Sequence, residues 1–284
     1  MNTRRNFIKT SAFATAGIFA ANPFLSMAAE GKSKLKSFGF ISGIASEAMK
    51  ADWKGTLKQA VEFGFSEIEG GSNFASSPQE FLSYCKEIGI KPIASGSSLD
   101  PMMKDPQKFF DDQNELGMKY IVCYWPWMGG PPFMLDDCKK SAEMLNELGS
   151  KAKANGLQLL WHNHDNEFHE MEKGLPFDYL MENTDPKLVQ CELDIYWVKK
   201  GGGDPLAMLK KYKGRIPILH VKDMAAGADQ DFICPGSGII DFAPIFKEAN
   251  KQGIEHYIVE RDNEPDGIGC LRSSGEFLRN IRFL

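Results

Sequence analysis

Five helix-like stretches of this chain close on a glycine that is followed at once by an apolar residue: Phe63-Gly64-Phe65, Ile88-Gly89-Ile90, Leu116-Gly117-Met118, Asn155-Gly156-Leu157 and Gln252-Gly253-Ile254. A glycine just past the last turn supplies the left-handed backbone that ends a helix, and each of these is followed within a few residues by the next strand-like run. Such runs lie at Phe38 to Ile41, Glu67 to Glu69, Pro92 to Gly96, Ile121 to Tyr124, Gln158 to His162, Val189 to Asp194, Ile216 to Val221 and Tyr257 to Glu260. Between them apolar residues recur at three and four spacing, as in Phe81, Tyr84, Cys85, Ile88 and again in Phe242, Ile245, Phe246, Ala249. Repeated helix, glycine, strand units are what right-handed parallel crossovers need. The expected fold is therefore α/β, a single-domain (β/α)8 TIM barrel. An open doubly wound sheet is the alternative, but its Gly-x-Gly-x-x-Gly phosphate turn is absent after the first strand.

The first residues carry an address. Thr3-Arg4-Arg5-Asn6-Phe7-Ile8-Lys9 has the twin-arginine export pattern, an Ala-rich apolar stretch runs from Ser11 to Ala21, and Ser26-Met27-Ala28 offers small residues for a signal peptidase. Residues 1–29 are read as a twin-arginine signal peptide and 30–284 as the barrel, which places the mature protein in the periplasm. A retained membrane anchor is the alternative, but the apolar stretch falls short of the roughly 20 residues a spanning helix needs. It is also interrupted by Asn22-Pro23. No later segment is long and apolar enough, so no stable membrane insertion is expected. Removing the leader takes away three of the 33 basic side chains and none of the 38 acidic ones, leaving a formal charge of −8. Such a surface argues against nucleic acid as a partner.

The six cysteines are even in number, and an oxidising compartment would permit disulfides. Cys123 and Cys191 nevertheless lie in apolar strand runs and Cys85 on an apolar helix face, positions where cysteine serves as a small buried hydrophobe. All six are read as free structural thiols.

Chemistry concentrates at four strand ends: His162-Asn163-His164, Glu192-Leu193-Asp194, Leu219-His220 and Val259-Glu260. Side chains alternate along a strand, so His162 shares a face with His164, Glu192 with Asp194, His220 with Lys222, and Glu260 with Asp262. A barrel brings such ends to one rim. His162, Asp194, His220 and Glu260 then make a mixed imidazole and carboxylate set suited to one divalent metal, Mn²⁺, Mg²⁺, Co²⁺ or Zn²⁺. His164 is the less secure member, a ligand, a base or a residue orienting substrate.

The same residues carry a resemblance. Through His162-Asn163-His164-Asp165-Asn166-Glu167-Phe168, Glu192-Leu193-Asp194-Ile195-Tyr196-Trp197, His220-Val221-Lys222-Asp223, Gly236-Ser237-Gly238-Ile239-Ile240-Asp241-Phe242 and Val259-Glu260-Arg261-Asp262, the chain resembles the sugar phosphate isomerase/epimerase group of the xylose isomerase-like TIM barrel family. The resemblance implies one divalent metal held by Glu, Asp, His and Glu at the ends of strands five to eight. The last three carry over onto Asp194, His220 and Glu260. The first departs, with His162 in place of glutamate, which removes the symmetrical two-glutamate proton shuttle of the ketose epimerases.

What the resemblance then implies is proton abstraction alpha to a keto group, giving an enediolate, with Glu260, His162 or His164 as the catalytic residue. Reprotonation would make the protein an epimerase or isomerase, and loss of a neighbouring oxygen would make it a 3-keto-glycoside lyase. The expected partner is a small-molecule sugar or glycoside. A homodimer is a further expectation, since the family often forms dimers. Lys222, Glu69, Trp125 and Trp197 are candidate substrate contacts. For Lys222 the alternative is a salt bridge to Glu192 or Asp223, and for the two tryptophans it is rim packing. Gly236-Ser237-Gly238 is either a tight turn before a helix near Asp241 or a ligand contact. Arg261 with Asp262 and Glu264 reads as rim charge, and His169 and His256 as structural. Two rivals stand beside the enzyme: a non-catalytic sugar-binding barrel, and a relative of apurinic-site endonucleases, against which five histidines and the negative charge count.

Overall fold

The computed structural model describes residues 33–283, and the leader assigned to residues 1–29 lies outside them. Eight parallel strands close into a barrel: β1 (Gly39–Ile41), β2 (Glu67–Glu69), β3 (Lys91–Ser98), β4 (Tyr120–Trp125), β5 (Gln158–His162), β6 (Val189–Asp194), β7 (Ile218–Val221) and, after a small hairpin of β8 (Asp223–Met224) and β9 (Phe232–Ile233), β10 (His256–Val259). Closure is made by β1 against β10, in register Gly39 with Ile258 and Phe40 with Val259. Each strand read in the sequence is present within a few residues. β7 starts at Ile218 rather than Ile216, because Pro217 has no N–H to give the ladder. The β8–β9 hairpin is an addition, four paired residues inside the connection after β7.

The outer layer holds α1 (Ser46–Glu62), α2 (Pro78–Ile88), α3 (Leu99–Lys104), α4 (Pro106–Glu115), α5 (Leu135–Ala154), α6 (Pro176–Asn183), α7 (Ile195–Lys200), α8 (Pro205–Lys211), α9 (Phe242–Gln252) and α10 (Gly267–Asn280). The glycines that signalled helix ends have positive φ, among them Gly89 at +78° and Gly253 at +80°, where each caps its helix. Gly96 is needed for another reason. A Cβ there would stand 1.8 Å from the Val122 carbonyl oxygen of the neighbouring strand. No helix among the described residues is long and apolar enough to cross a membrane.

Strand alternation stacks the barrel interior in layers. At the floor Glu67 accepts a hydrogen bond from His256 at 3.0 Å, with Tyr120 packed against the imidazole. Glu67 thus points inward and caps the barrel's packing, and His256, which has no partner nearby in sequence, finds one 189 residues away. Above them Ile93, Val122, Leu160, Ile218 and Ile258 form an apolar belt. Burying side chains of this kind stabilises by about 1.5–3 kcal/mol each. Two residues further along the same strands stand His162, His220 and Glu260.

The free-thiol reading fails for two cysteines. Cys234, just after β9, is disulfide-bonded to Cys270 in α10, with Cα atoms 5.5 Å apart. Their partnership depends on how the β7–α9 connection folds back on α10, which no local pattern announces. Cys85, Cys123, Cys138 and Cys191 are free and buried.

Candidate metal centre at the carboxyl rim

His162 ends β5, Asp194 ends β6, His220 lies in β7 and Glu260 follows β10, and each offers a ligand atom within 4.8 Å of those of the other three. Except for part of Glu260, they are buried. Asp194 is placed twice over. Its carboxylate caps α7 by accepting the Trp197 N–H at 2.8 Å, and its own N–H donates to Asn163 Oδ1 at 2.9 Å.

A second tier of carboxylates supports the imidazoles. Glu192 Oε2 lies 3.1 Å from His162 Nδ1 and 3.2 Å from His220 Nε2. Glu69 Oε2 lies 3.2 Å from the same His220 nitrogen, and Tyr124 donates its hydroxyl to Glu69 Oε1 at 2.6 Å. Glu69, expected at the substrate, therefore sits fully buried beneath the ligand candidates. With Nδ1–H of His162 donated to Glu192, the Nε2 lone pair is left facing Asp194 Oδ2, 4.0 Å away. Orienting a metal-binding imidazole by a carboxylate behind it is the usual division of labour.

Burial and neighbours set the charges. Burial holds the His162 pKa well below the usual imidazole range, helped by His220 and His164, so its imidazole is neutral at pH 7. His164 is lowered too, chiefly by burial and then by Lys222. Burial opposes charge on His220, but Glu192, Glu69 and Glu260 outweigh it and raise its pKa. Burial pushes Asp194 up to about 7 and Glu192 up to about 8. Glu260 goes the other way: Lys222 and His220 overcome its burial and keep it ionised.

The donor set fits a divalent cation. Asp194 Oδ2, Glu192 Oε1 and His164 Nδ1 are buried without a hydrogen-bond partner, which costs about 1–3 kcal/mol for each such group unless something pairs with it. Asp194 Oδ2 is the oxygen that faces His162 Nε2, among two imidazoles and a second carboxylate. No thiol takes part, which matches a hard-to-borderline ion.

Lys222 forms the next layer out. Its ammonium lies 2.6 Å from Asp262, 3.4 Å from Glu260 and 3.7 Å from Asp194. Neither Glu192 nor Asp223, the partners weighed from sequence, is the one it meets. Asp262 is thus more than rim charge. The rings of Trp197, Phe232 and Tyr196 surround the ammonium at 4.8, 4.9 and 5.7 Å. Trp125 and Trp197 both pack against His164, each ring centroid 5.4 Å from the imidazole. Glu167, fully buried, accepts the Trp127 indole N–H at 2.7 Å and the His164 backbone N–H at 3.0 Å.

Four contributors were not legible in the sequence: Glu192 as a support, Glu167, Asp262 and Phe232. Glu192 and Asp262 had a usable signal, since alternation put them on the faces of Asp194 and Glu260. Phe232 had none, because the hairpin that carries it has no recognisable pattern.

Comparison with known proteins bears on the family and the fold. A family model described as xylose isomerase-like TIM barrel matches residues 57–281. Inosose dehydratase of Clostridium perfringens is 33% identical over a 206-residue alignment that covers 66% of this chain, and the chain spans only 62% of that relative's length. A sugar phosphate isomerase/epimerase of Parabacteroides distasonis superposes with a TM-score of 0.73 at 24% identity, covering 89% of this chain and 96% of that one. The 3-keto-D-glucoside 4-epimerase of E. coli gives 0.63 at 20% identity, covering 87% and 100%. The two structural likenesses speak to the fold.

Proposed function

The chain belongs to the xylose isomerase-like TIM barrel family, and from that premise and the rim geometry we propose that it is a divalent-metal-dependent enzyme that forms an enediolate from a keto-sugar or keto-glycoside. The observation that carries this reading is the convergence of His162, Asp194, His220 and Glu260 around a buried Asp194 oxygen that has no hydrogen-bond partner. A divalent cation bound there would polarise the ketone and stabilise the negative charge of the enediolate.

His164 is the base. Its imidazole is neutral at pH 7, its Nδ1 has no protein partner, and Glu167 fixes its backbone while Trp125 and Trp197 pack against the ring. Glu260, held as an anion by Lys222 and His220, is a poor proton acceptor and serves as a ligand. His164 takes the proton from the carbon next to the ketone, and the C–H electron pair becomes the C=C bond of the enediolate. When that double bond collapses, the C–O bond on the neighbouring carbon breaks, and the departing oxygen takes the proton back from the imidazolium. Lys222, Trp125 and Trp197 line the approach and hold the ring.

Elimination is favoured over epimerisation because the strand-five position is His162, tied to Glu192, and offers no second glutamate to reprotonate the opposite face. The inosose dehydratase relative supports the elimination class. Export of this activity to the periplasm is supported by the Thr3 to Lys9 pattern and by the Cys234–Cys270 disulfide.

The test is incubation of metal-loaded protein with a panel of keto-sugars and keto-glycosides in D₂O. Deuterium at the alpha carbon, abolished by EDTA and restored by added metal, is the expected result. Glycosidic cleavage or loss of water identifies the lyase. Full metal occupancy with no exchange on any member would turn the reading toward a binding protein.

A further inference from the structure

In TIM barrels a phosphate is commonly gripped by backbone amides of the loops after strands seven and eight, with help from a helix N-terminus. In this chain the glycine loop after β7 stands in that place, and every amide of it is already taken. Asp223, buried at the start of the hairpin, accepts the N–H groups of Gly236 at 3.0 Å and Gly238 at 2.9 Å on one oxygen. Its other oxygen accepts those of Met224 at 2.8 Å and Ile240 at 3.1 Å. The remaining two amides go to backbone: Ser237 to the Cys234 carbonyl at 3.0 Å and Ile239 to the Met224 carbonyl at 2.8 Å. Gly238 is what admits the carboxylate, since a Cβ there would stand 2.4 Å from Asp223 Oδ1.

The neighbouring features are closed in the same way. The N-terminus of α9 is capped by Asp241 through Ala243 N–H, and that of α10 by Asp266 through Gly269 N–H. Arg261, in the loop after β10, is paired with Glu264. The Lys222 ammonium is held by Asp262. These two cations, both helix caps and three of the five loop amides already hold a carboxylate of the chain itself, and a second anion would meet like charge.

We propose that Asp223 is a specificity-determining residue that fills the anion nest of this rim, so that the enzyme takes sugars bearing no phosphate. This rests on the enediolate reading only for the word enzyme; the closure of the nest stands on the hydrogen bonds.

Two measurements decide it. Inorganic phosphate titrated into the ¹⁵N-labelled full chain should leave the Gly236, Gly238 and Ile240 amide resonances where they are, and a saturable shift of those amides would overturn the proposal. In the deuterium-exchange assay, the phosphate ester of a keto-sugar should show kcat/KM lower than its unesterified parent by at least about tenfold. An ester used as well as or better than its parent also overturns it. If no sugar of the panel exchanges, the enzyme reading falls, while the amide titration still settles whether the nest is closed.

Discussion

Removing the Asp223 carboxylate should be among the most destabilising single changes near the rim, and its cost can be worked from the four amides it serves. Met224 and Ile240 are buried, whereas Gly236 and Gly238 lie where water reaches them. In Asp223→Asn the side-chain oxygen can still serve the buried pair, while its NH₂ faces the glycine pair. Two partly solvated bonds are lost at about 1 kcal/mol each, since water takes their place, and two become neutral at about 0.5 kcal/mol each, about 3 kcal/mol in all. In Asp223→Ala the Met224 and Ile240 amides are stranded as well, at about 1–3 kcal/mol each, which brings the total to about 5 kcal/mol. For a domain of this size about 2–4 °C of Tm goes with each kcal/mol, so Asn should lower Tm by roughly 6–12 °C and Ala by roughly 10–20 °C. Urea titration, followed by tryptophan fluorescence, should show the midpoint falling in the same order with the slope unchanged. If the two variants cost the same, or both less than about 1 kcal/mol, water satisfies these amides and the carboxylate does not hold the loop.

Three further outcomes are expected. His164→Gln should lower alpha-proton exchange by about 10²–10⁴-fold, the range for loss of a general base, while metal content measured by mass spectrometry stays stoichiometric; lost metal with the exchange would make His164 a ligand instead. Glu167 is raised to about 7, by burial first, against the Trp127 and His164 N–H groups that favour its ionised form. A carboxyl raised in the folded state adds stability that is complete below the unfolded pKa near 4.5 and disappears as pH climbs through 7. Wild type should therefore lose up to about 3 kcal/mol relative to Glu167→Gln between pH 4.5 and pH 7 and beyond, and a pH-independent difference would refute the raised pKa. The double variant Cys234→Ser, Cys270→Ser opens a cross-link spanning 36 residues and should cost about 4 kcal/mol on loop entropy. Titration of unfolded, unreduced protein should find four thiols, those of Cys85, Cys123, Cys138 and Cys191, and six would show that the bridge is absent.

Much of the architecture could be read from the chain because its signals are local. A glycine such as Gly89 or Gly253 ends its helix through its own backbone, and a strand such as Gln158 to His162 carries its apolar run within five residues. The four donor positions were legible for a related reason: all come at or near strand ends, and parallel closure gathers those ends. What could not be read depends on depth and on distant pairing. Glu69 and Asp194 both sit near the ends of strands, yet one supports imidazoles from below and the other faces the cavity, a difference set by how the strands stagger. Lys222 chose Asp262, 40 residues away, over the closer candidates. Asp223 is one more acid in His220-Val221-Lys222-Asp223, and its role comes from a loop that returns over it 13 to 17 residues later. Cys234 and Cys270 are joined by the same folded-back connection.

The apolar belt inside the barrel has an electrical consequence. Ile93, Val122, Leu160, Ile218 and Ile258 lie between the Glu67–His256 pair at the floor and the Glu69, Glu192, His162 and His220 tier above. A hydrocarbon septum of that kind conducts neither protons nor water, so charge arriving at the rim must be balanced through the mouth alone. Protons and water therefore reach the two ends of the barrel by separate routes. Substitutions around Glu67 and His256 can retune the stability of the base of the molecule without rewiring the chemistry at its top.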